Sequence, residues 1–372
     1  MTIPLLNRQE ECSYKLKLMQ DALRSSDAVA IRLRRIDWFA WATAGGSNAV
    51  LLTAETGVAE VLVTENNAWI LTDEIEAQRL IDEQLPIDQS SYALSVSPWA
   101  DSAKRESLVQ EATAGGKVWS DKLTASEFPL PTSLIDEKRK LLPSELSRYR
   151  EVGSLASEAI IEVLRQAKPT WTEFDLAGAG AQALWKRGLE PALTLAAGEQ
   201  RLFRYRHPVP TGNSIDRVAM LVFCARGFGL VASLTRFVVF GELSDREQKL
   251  HEHVRQIEAA ALDRCRSGTP LNEVYHTLKS AYEQYGYPTA IREHHQGGTA
   301  GYLAREIIAT PTTTDPLSTN SAIAFNPSLV GAKIEDTFVI CEDGTLENLT
   351  FDPNWPSVEV NGRARPIPLV IP

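Results

Sequence analysis

Residues 322–350 read AIAFNPSLVGAKIEDTFVICEDGTLENLT, and this stretch says more about the fold than any other part of the chain. A pair, Asn326-Pro327, precedes an apolar segment that carries two adjacent acids, Glu335 and Asp336. Burying a carboxylate in such a segment is costly unless a cation or several hydrogen-bond donors meet it. Because side chains alternate along a strand, we expect Glu335 to face a functional site and Asp336 to play a structural role on the opposite side.

Length and charge limit the classes of protein to consider. The chain has 372 residues and a net charge of -10, which predicts two domains and disfavours a nucleic-acid partner. No apolar run is long enough to span a bilayer, and the first residues, MTIPLLNRQEECSYK, do not resemble a signal peptide. The four cysteines are scattered without paired spacing, so we expect a reduced, cytoplasmic protein without a membrane partner.

The pattern of the chain changes near residues 125–143, and we place the domain boundary there, with domains at 1–137 and 138–372. The first domain shows short β-type runs broken by turn residues, followed by a stretch with helical periodicity at 75–85. This pattern predicts a small α/β domain. Its predicted strands are 28–36, 49–54, 58–64 and 68–71.

The second domain opens with a long amphipathic run at 145–167, which predicts a helix. A second helix is expected after a capping box at Thr170–Glu173, and a third after Ser244–Glu247. Between them lie two buried strands, 218–225 and 230–240, joined by a glycine-containing turn. Another helix is predicted near 271–285, and residues 332–340 are expected to form one strand that ends in a hairpin turn at 342–344.

In this order of elements, and above all in 218–240 and 322–350, the chain resembles the creatinase/prolidase/methionine aminopeptidase family. The resemblance implies an α+β protein, with a small creatinase-like α/β N-terminal domain followed by a C-terminal pita-bread domain. It also implies a homodimer, in which Arg34 and Arg35 of one chain could reach the substrate of the other.

The resemblance also implies a pair of metal ions held by two aspartates, one histidine and two glutamates, a set suited to activating water for hydrolysis. In this chain most of those positions carry other residue types, and a single carboxylate with neutral oxygens binds divalent first-row ions poorly. We therefore predict neither a bound metal nor another cofactor. A register in which His294 or His295 is itself a ligand stays open. The matching positions are Val222, Ser233, Thr299, Asn326 and Glu335.

Several polar residues remain around the expected site. His207 falls where creatinase, which cleaves a C–N bond without metal, carries its acid/base histidine; a surface-loop histidine is the alternative. The alternative role for Glu306 is an ion pair at the rim of the site, and the alternative role for Arg236 is to connect strands. The catalytic candidates are His207, His295, Glu335 and Glu306. The substrate-binding candidates are Arg204, Arg206, His294, Arg305, Arg236 and Asn326.

The resulting functional hypothesis is a metal-independent, creatinase-like hydrolase of a small amide, amidine or urea-like C–N bond. In this scheme His207 is the acid/base, Glu335 orients a cationic or amide nitrogen, and His295 stabilises developing charge. Two alternatives stay open. One is a non-catalytic pseudo-peptidase that binds a peptide or protein in the former active-site cleft. The other is an Xaa-Pro aminopeptidase or prolidase-type metallopeptidase with a rearranged metal site. The expected partners are a small-molecule or short peptide substrate and a second copy of the chain.

Overall fold

The computed structural model describes residues 5–86 and 91–372, so the first four residues of the stretch tested for a signal peptide lie outside it. The chain divides into two compact units. Unit 1 runs to Ser147 and includes Phe228–Leu230, while unit 2 comprises Arg148–Gly227 and Val231–Pro372. Within the described residues, no helix has both the length and the apolar character needed to cross a bilayer.

Unit 1 is built on one six-stranded mixed sheet with the order β4-β3-β2-β1-β5-β6. β1 pairs antiparallel with β2 and parallel with β5, and β3 pairs parallel with β4. The strands are β1 (Ala28–Arg35), β2 (Thr56–Thr64), β3 (Ala68–Asp73), β4 (Ala93–Ser97), β5 (Lys117–Ser120) and β6 (Glu127–Pro129).

The strand predicted at 49–54 is wrong, because these residues form a loop. Val50 and Leu51 are exposed, and the backbone N–H of Ala54 donates to the carbonyl of Leu51 in a tight turn. The apolar run suggested burial, but without a neighbouring strand to pair with, it forms a surface turn instead.

The helices of unit 1 pack around this sheet. One of them, Ile36–Ala42, was not predicted, because its seven residues, IDWFAWA, carry no amphipathic period. The predicted helix at 75–85 is a short α-helix followed by a π-helical turn, Leu80–Gln84. The helices are α1 (Arg8–Arg24), α2 (Ile36–Ala42), α3 (Ala77–Arg79), α4 (Ser102–Thr113) and α5 (Thr132–Arg139).

The long helix predicted at the start of the second domain is confirmed as α6 (Pro143–Gln166). The capping box of the next helix is formed by Thr172 and Asp175, two residues later than expected, whereas the Ser244–Glu247 box is confirmed. The remaining helices are α7 (Glu173–Trp185), α8 (Glu199–Leu202), α9 (Asp245–Arg264) and α10 (Leu271–Gln284), with a 3-10 turn at Ala290–Arg292.

Unit 2 contains two larger sheets, with the orders β19-β9-β8-β7 and β11-β10-β12-β15-β16, and two short two-stranded pairs, β13-β14 and β17-β18. The predicted strand pair 218–240 is confirmed. The strands of unit 2 are β7 (Glu190–Gly198), β8 (Val218–Gly227), β9 (Leu230–Phe240), β10 (Gly297–Ala300), β11 (Ile307–Ile308), β12 (Ala322–Phe325), β13 (Ser328–Leu329), β14 (Ala332–Lys333), β15 (Phe338–Ile340), β16 (Leu346–Asn348), β17 (Ser357–Val360), β18 (Arg363–Pro366) and β19 (Leu369–Ile371).

Residues 332–340 do not form the single strand that was expected. The chain leaves β14 after Lys333 and re-enters a sheet only at Phe338. Between them, Glu335 makes an isolated antiparallel bridge to Thr235 on β9. The two acids of this segment therefore lie on the short connection between two strands, where their side chains reach different partners.

Asp336 is fully buried, accepts a hydrogen bond from Arg236 and forms an ion pair with Arg365. Its Oδ1 lies 2.8 Å from Nη2 of Arg236, and its Oδ2 lies 2.9 Å from Nη2 of Arg365. The Thr350 hydroxyl donates to the same carboxylate at 2.6 Å, and Arg365 also binds Glu258 at 2.6 Å. Asp336 is structural, as the sequence pattern predicts.

We predict that Asp336→Asn lowers the free energy of unfolding by about 3–5 kcal/mol, because breaking one side of a buried ion pair leaves the partner charge uncompensated. Urea unfolding followed by circular dichroism measures this change. The matched control is Asp343→Asn, a change on an exposed turn between β15 and β16, which should stay near wild type. Equal stabilities of the two variants would show that the Asp336 network contributes little.

Candidate active site

Three histidines from two separate loops of unit 2 come together. His207 lies in the loop after α8, and His294 and His295 lie between the 3-10 turn and β10. The Nε2 atoms of His207 and His294 are 2.9 Å apart, and the ring of His295 stacks on that of His294 with centroids 4.6 Å apart. The structure thus brings together three of the residues predicted from the sequence as site residues. Of these, His207 is exposed to solvent.

The two histidine-bearing loops are tied by the residues next to the histidines. Nε and Nη2 of Arg206 both donate to Oε2 of Glu293, and the Nε contact is 3.1 Å. On the second loop, the Gln296 amide donates to the carbonyl of His294 at 2.7 Å, and Tyr282 donates to Gln296 at 2.9 Å. Arg206 was a substrate-binding candidate, but its guanidinium is used to hold the histidine loops in place.

The imidazoles are electrically neutral at physiological pH. Burial lowers the pKa of His294 to about 2, with the charge of Lys333 as the next cause. Burial and then Arg305 lower the pKa of His295 to about 4. Burial, followed by the charge of Lys333, also lowers the pKa of His207 below its ordinary value. Each ring therefore offers one N–H donor and one unprotonated nitrogen.

The side chain of Glu335 faces the side on which the histidines lie. Cationic side chains of the protein already contact its carboxylate. Arg305 Nη2 donates to Oε1, Lys333 Nζ lies 3.5 Å from Oε2, and the Thr235 hydroxyl donates to Oε2 at 3.3 Å. Burial would raise the pKa of Glu335, yet Lys333 and Arg305 outweigh it and keep the pKa below its ordinary value. The carboxylate is therefore ionised and paired within the chain.

At the strand pair β8–β9, Cys224 rather than Val222 contacts Ser233. The Ser233 hydroxyl lies 3.4 Å from Sγ of Cys224, whereas Val222 packs in an apolar cluster with Met220 and Phe237. The short turn after Gly227 changes the residues that face each other, which spacing alone could not reveal. Burial raises the pKa of the Cys224 thiol, so the group stays a protonated thiol.

The two other positions matched to metal ligands carry neutral side chains. The Thr299 hydroxyl on β10 accepts the backbone N–H of Ile307 at 3.0 Å and so closes the loop between β10 and β11. Asn326 is buried directly after β12, and its Oδ1 has no hydrogen-bond partner within the described part of the chain. Thr299 is thus used in the scaffold, while a ligand-binding role for Asn326 stays a prediction.

Three further candidates lie outside the histidine cluster. Glu306 accepts the backbone N–H of Leu303 at 3.1 Å, and Arg204 is exposed on the loop before His207. Arg236 donates to Asp336 and to the carbonyl of Thr350, so its charge is satisfied in the buried network. The structure supports the strand-tying role for Arg236. Substrate-binding roles for Arg204 and Glu306 stay predictions.

The residues at the five matched positions do not fit a pair of metal ions, since their only carboxylate, Glu335, is occupied by Arg305 and Lys333. The three histidines are the one group of three or more potential ligands found in residues 5–86 and 91–372, with ligand atoms within 4.8 Å of one another. However, the rings of His294 and His295 are nearly parallel, at 18°. Their in-plane lone pairs do not converge on one ion without rotation of a ring.

Sequence comparisons agree with this picture of the scaffold. Residues 147–342 match the profile of metallopeptidase family M24. An uncharacterised peptidase of Staphylococcus aureus is 23% identical over 218 residues, which cover 54% of this chain and 59% of that protein, less than two thirds of its length. The Bacillus subtilis protein YkvY, named as a candidate dipeptidase, is 24% identical over 296 residues, 75% of each chain.

Among solved structures, the Xaa-Pro dipeptidase from Bacillus anthracis superposes with a TM-score of 0.77. The match covers 97% of this chain and all of that one, at 17% sequence identity. At this identity the likeness establishes the fold alone, and it confirms the fold predicted from the sequence.

We predict that His294→Gln makes the stability of the protein less sensitive to acid. His294 stays neutral in the folded state down to about pH 2, whereas the unfolded chain protonates it below about pH 6.5, so unfolding takes up a proton. The free energy of unfolding of wild type should therefore fall as the pH drops below the pKa of His294 in the unfolded chain. The free energy of unfolding of the variant should fall less steeply. Urea unfolding at several pH values between 7 and 4 measures the slope.

The matched variant is His294→Asn. It removes the same titratable imidazole but replaces it with a side chain of a different shape. Equal slopes for the two variants, both shallower than wild type, would assign the effect to protonation. Slopes equal to that of wild type would contradict a depressed pKa at His294.

Proposed function

The chain belongs to metallopeptidase family M24, and we propose that it is a hydrolase that cleaves a C–N bond of a small substrate without a metal pair. The bond is of the amide, amidine or urea type. The observation that carries this proposal is the state of Glu335, because Arg305 and Lys333 take the place beside its carboxylate that metal ions would need. A carboxylate paired in this way is not available as a bridging ligand.

In the proposed mechanism, His207 is the acid/base. The mechanism uses the tautomer in which Nε2–H of His207 donates to Nε2 of His294, because Nδ1 of His207 is then free to accept a proton. His207 is exposed and can meet a water molecule. It takes a proton from the water as the oxygen adds to the carbon, and it returns the proton to the nitrogen as the C–N bond breaks.

Glu335 cannot hold a cationic nitrogen in the way first expected, because two cations already face it. We propose instead that Arg305, held by Glu335, and the N–H of His295 face the charge that develops on the oxygen of the substrate. Donors fixed before the reaction stabilise such charge without reorganisation. A second copy of the chain near the site remains part of the proposal.

A metallopeptidase with a rearranged metal site is the second candidate function. The proximity of the His207, His294 and His295 ligand atoms favours it. Two measurements, on His207 and on metal content, separate the candidates. A pseudo-peptidase would show no turnover, with or without metal, and a peptide or protein would be found bound to it instead.

We predict that His207→Ala lowers kcat by about 10²–10⁴-fold, the usual contribution of a general acid/base. Activity would be measured on a panel of small N-acyl, ureido and amidino acids. In wild type, kcat/KM should fall on the acid side with an apparent pKa below the ordinary imidazole value of about 6.5, because the base must be unprotonated and its pKa is lowered.

The control for this variant is His276→Ala, on the exposed side of α10, which should keep wild-type activity. Undiminished turnover in His207→Ala would exclude His207 as the acid/base.

We predict that a chelator of divalent metals leaves the activity unchanged, because the protein cations at Glu335 replace the ions. Elemental analysis after dialysis should find less than one equivalent of manganese, cobalt, zinc or iron per chain. Two ions per chain, together with loss of activity on chelation, would support the metallopeptidase. One ion that is lost in His294→Gln would support the rearranged site.

A further inference from the structure

A buried tyrosine hydroxyl connects three separate segments of unit 2. Tyr282 lies on α10 and is fully buried. Its hydroxyl accepts the backbone N–H of Ser328, the first residue of β13, at 2.9 Å, and lies 3.2 Å from the carbonyl of the same residue. On its other side the hydroxyl is 2.9 Å from Oε1 of Gln296, at the end of the loop that carries His294 and His295. One side chain of α10 is therefore bonded both to β13 and to the histidine loop.

The partners of Gln296 fix the direction of each hydrogen bond in this chain of contacts. Its Nε2 faces two carbonyl oxygens, that of His294 at 2.7 Å and that of Ile291 at 3.3 Å. Carbonyl oxygens only accept, so the amide group places its two N–H donors on this side and Oε1 on the side of Tyr282. Because Oε1 carries no hydrogen, the hydroxyl of Tyr282 donates to it. The chain of donors thus runs from the N–H of Ser328 to the carbonyl of His294.

The histidine loop has few other attachments through its backbone. Within the part of the chain that the structure describes, no backbone–backbone hydrogen bond involves His294 or His295. The backbone carbonyl of Gln296 accepts the N–H of Asn326 at 3.1 Å, which attaches Gln296 to the segment after β12. Its side chain then turns back to the carbonyl of His294. A side chain, and not regular secondary structure, therefore holds the backbone of His294.

The second attachment of this loop, the ion pair of Arg206 with Glu293, is less protected from solvent. The side chain of Glu293 is 39% exposed, and ion pairs open to water contribute little to stability. Tyr282, Gln296 and Ser328 are all buried, where a polar group that loses its partner is costly. We therefore expect the buried hydrogen bonds to control the position of His294 more strongly than the ion pair does.

The imidazole of His294 depends on this position, because its Nε2 lies 2.9 Å from Nε2 of His207 and hydrogen bonds weaken steeply with distance and misalignment. We propose that Tyr282 is a positioning residue of the site. Through Gln296, its hydroxyl holds the carbonyl of His294 and so keeps the two imidazoles in hydrogen-bond contact. Tyr282 touches no reacting atom in this scheme. The inference rests on the proposed function only for its effect on hydrolysis.

Nuclear magnetic resonance of the full chain, labelled with ¹⁵N in its histidines, tests the placement without a substrate. Correlations from the carbon-bound ring protons report which nitrogen of each imidazole carries hydrogen and whether it is hydrogen-bonded. We expect Tyr282→Phe to shift the ring nitrogen signals of both His207 and His294, because the hydroxyl that fixes Gln296 is lost. Gln296→Met, which removes the same link with a side chain of similar shape, should shift the same signals.

The matched control is Tyr92→Phe. The hydroxyl of Tyr92 is also buried and donates to a backbone carbonyl, that of Ala42, at 3.0 Å, but it belongs to unit 1. Both tyrosine variants lose one buried hydrogen bond, so we expect a similar loss of thermal stability in both. Only Tyr282→Phe should change the histidine signals, and this difference separates positioning from a general loss of stability.

Hydrolysis gives a second readout, on any N-acyl, ureido or amidino acid that the wild-type protein cleaves. Tyr282→Phe should lower kcat by about 10–100-fold with KM little changed, since a small displacement of a catalytic group slows the reaction more than it weakens binding. The double variant with Gln296→Met should lose no more kcat than Gln296→Met alone, because both residues act through one chain of hydrogen bonds. Losses that multiply would overturn this route.

Histidine signals in folded Tyr282→Phe that equal those of wild type would overturn the inference, whatever the activity. If Tyr282→Phe does not fold, the same spectra of Gln296→Met decide, and unchanged signals there would overturn it equally. Shifted histidine signals in a protein that hydrolyses none of the compounds would support the positioning role and remove the proposed function. The two hypotheses can therefore fail separately.

Discussion

Two adjacent buried carboxylates, Glu335 and Asp336, set the electrostatics of unit 2. Both are buried, they reach different partners, and each is met by two cationic side chains. Asp336 binds Arg236 and Arg365, while Glu335 binds Arg305 and Lys333. Removing one partner from such a pair costs more free energy than the intact pair contributes, which ties the cations to the acids.

The two halves of this arrangement have different consequences. On the Asp336 side the charges are buried and form ion pairs with one another, and these pairs connect β9, β18 and the segment after β14. On the Glu335 side, Nε of Arg305 is buried without a hydrogen-bond partner in the described part of the chain. In this member of the M24 family, the cations beside Glu335 are therefore side chains of the protein, Arg305 and Lys333.

The histidine cluster depends on the same scaffold. His207 and His294 are 87 positions apart, and their loops are joined by Arg206 and Glu293. Burial keeps the pKa of each imidazole below its ordinary value. Burial lowers the pKa values of His294 and His295 most, and the charges of Lys333 and Arg305, which also pair with Glu335, lower them further.

Local sequence patterns determined much of this protein. The Ser244–Glu247 capping box, the long helix α6 and the apolar strands β8 and β9 depend on neighbouring residues, and each was predicted. The motif around Glu335 was sufficient to indicate the family, because it combines a fixed order of residue types in one short stretch. Strand alternation predicted that Glu335 and Asp336 face different partners; they do, although they lie on a connection between β14 and β15 rather than within one strand.

Tertiary structure alone decided which side chains meet. Cys224 rather than Val222 faces Ser233 because a tight turn sets the register, and spacing in the sequence does not report the length of a turn. Arg305 pairs with Glu335 because the loop between β10 and β11 folds back over β9. The run at 49–54 looked like a strand but had no neighbour to pair with. Contacts between distant segments depend on how the strands pack, and that geometry is absent from local patterns.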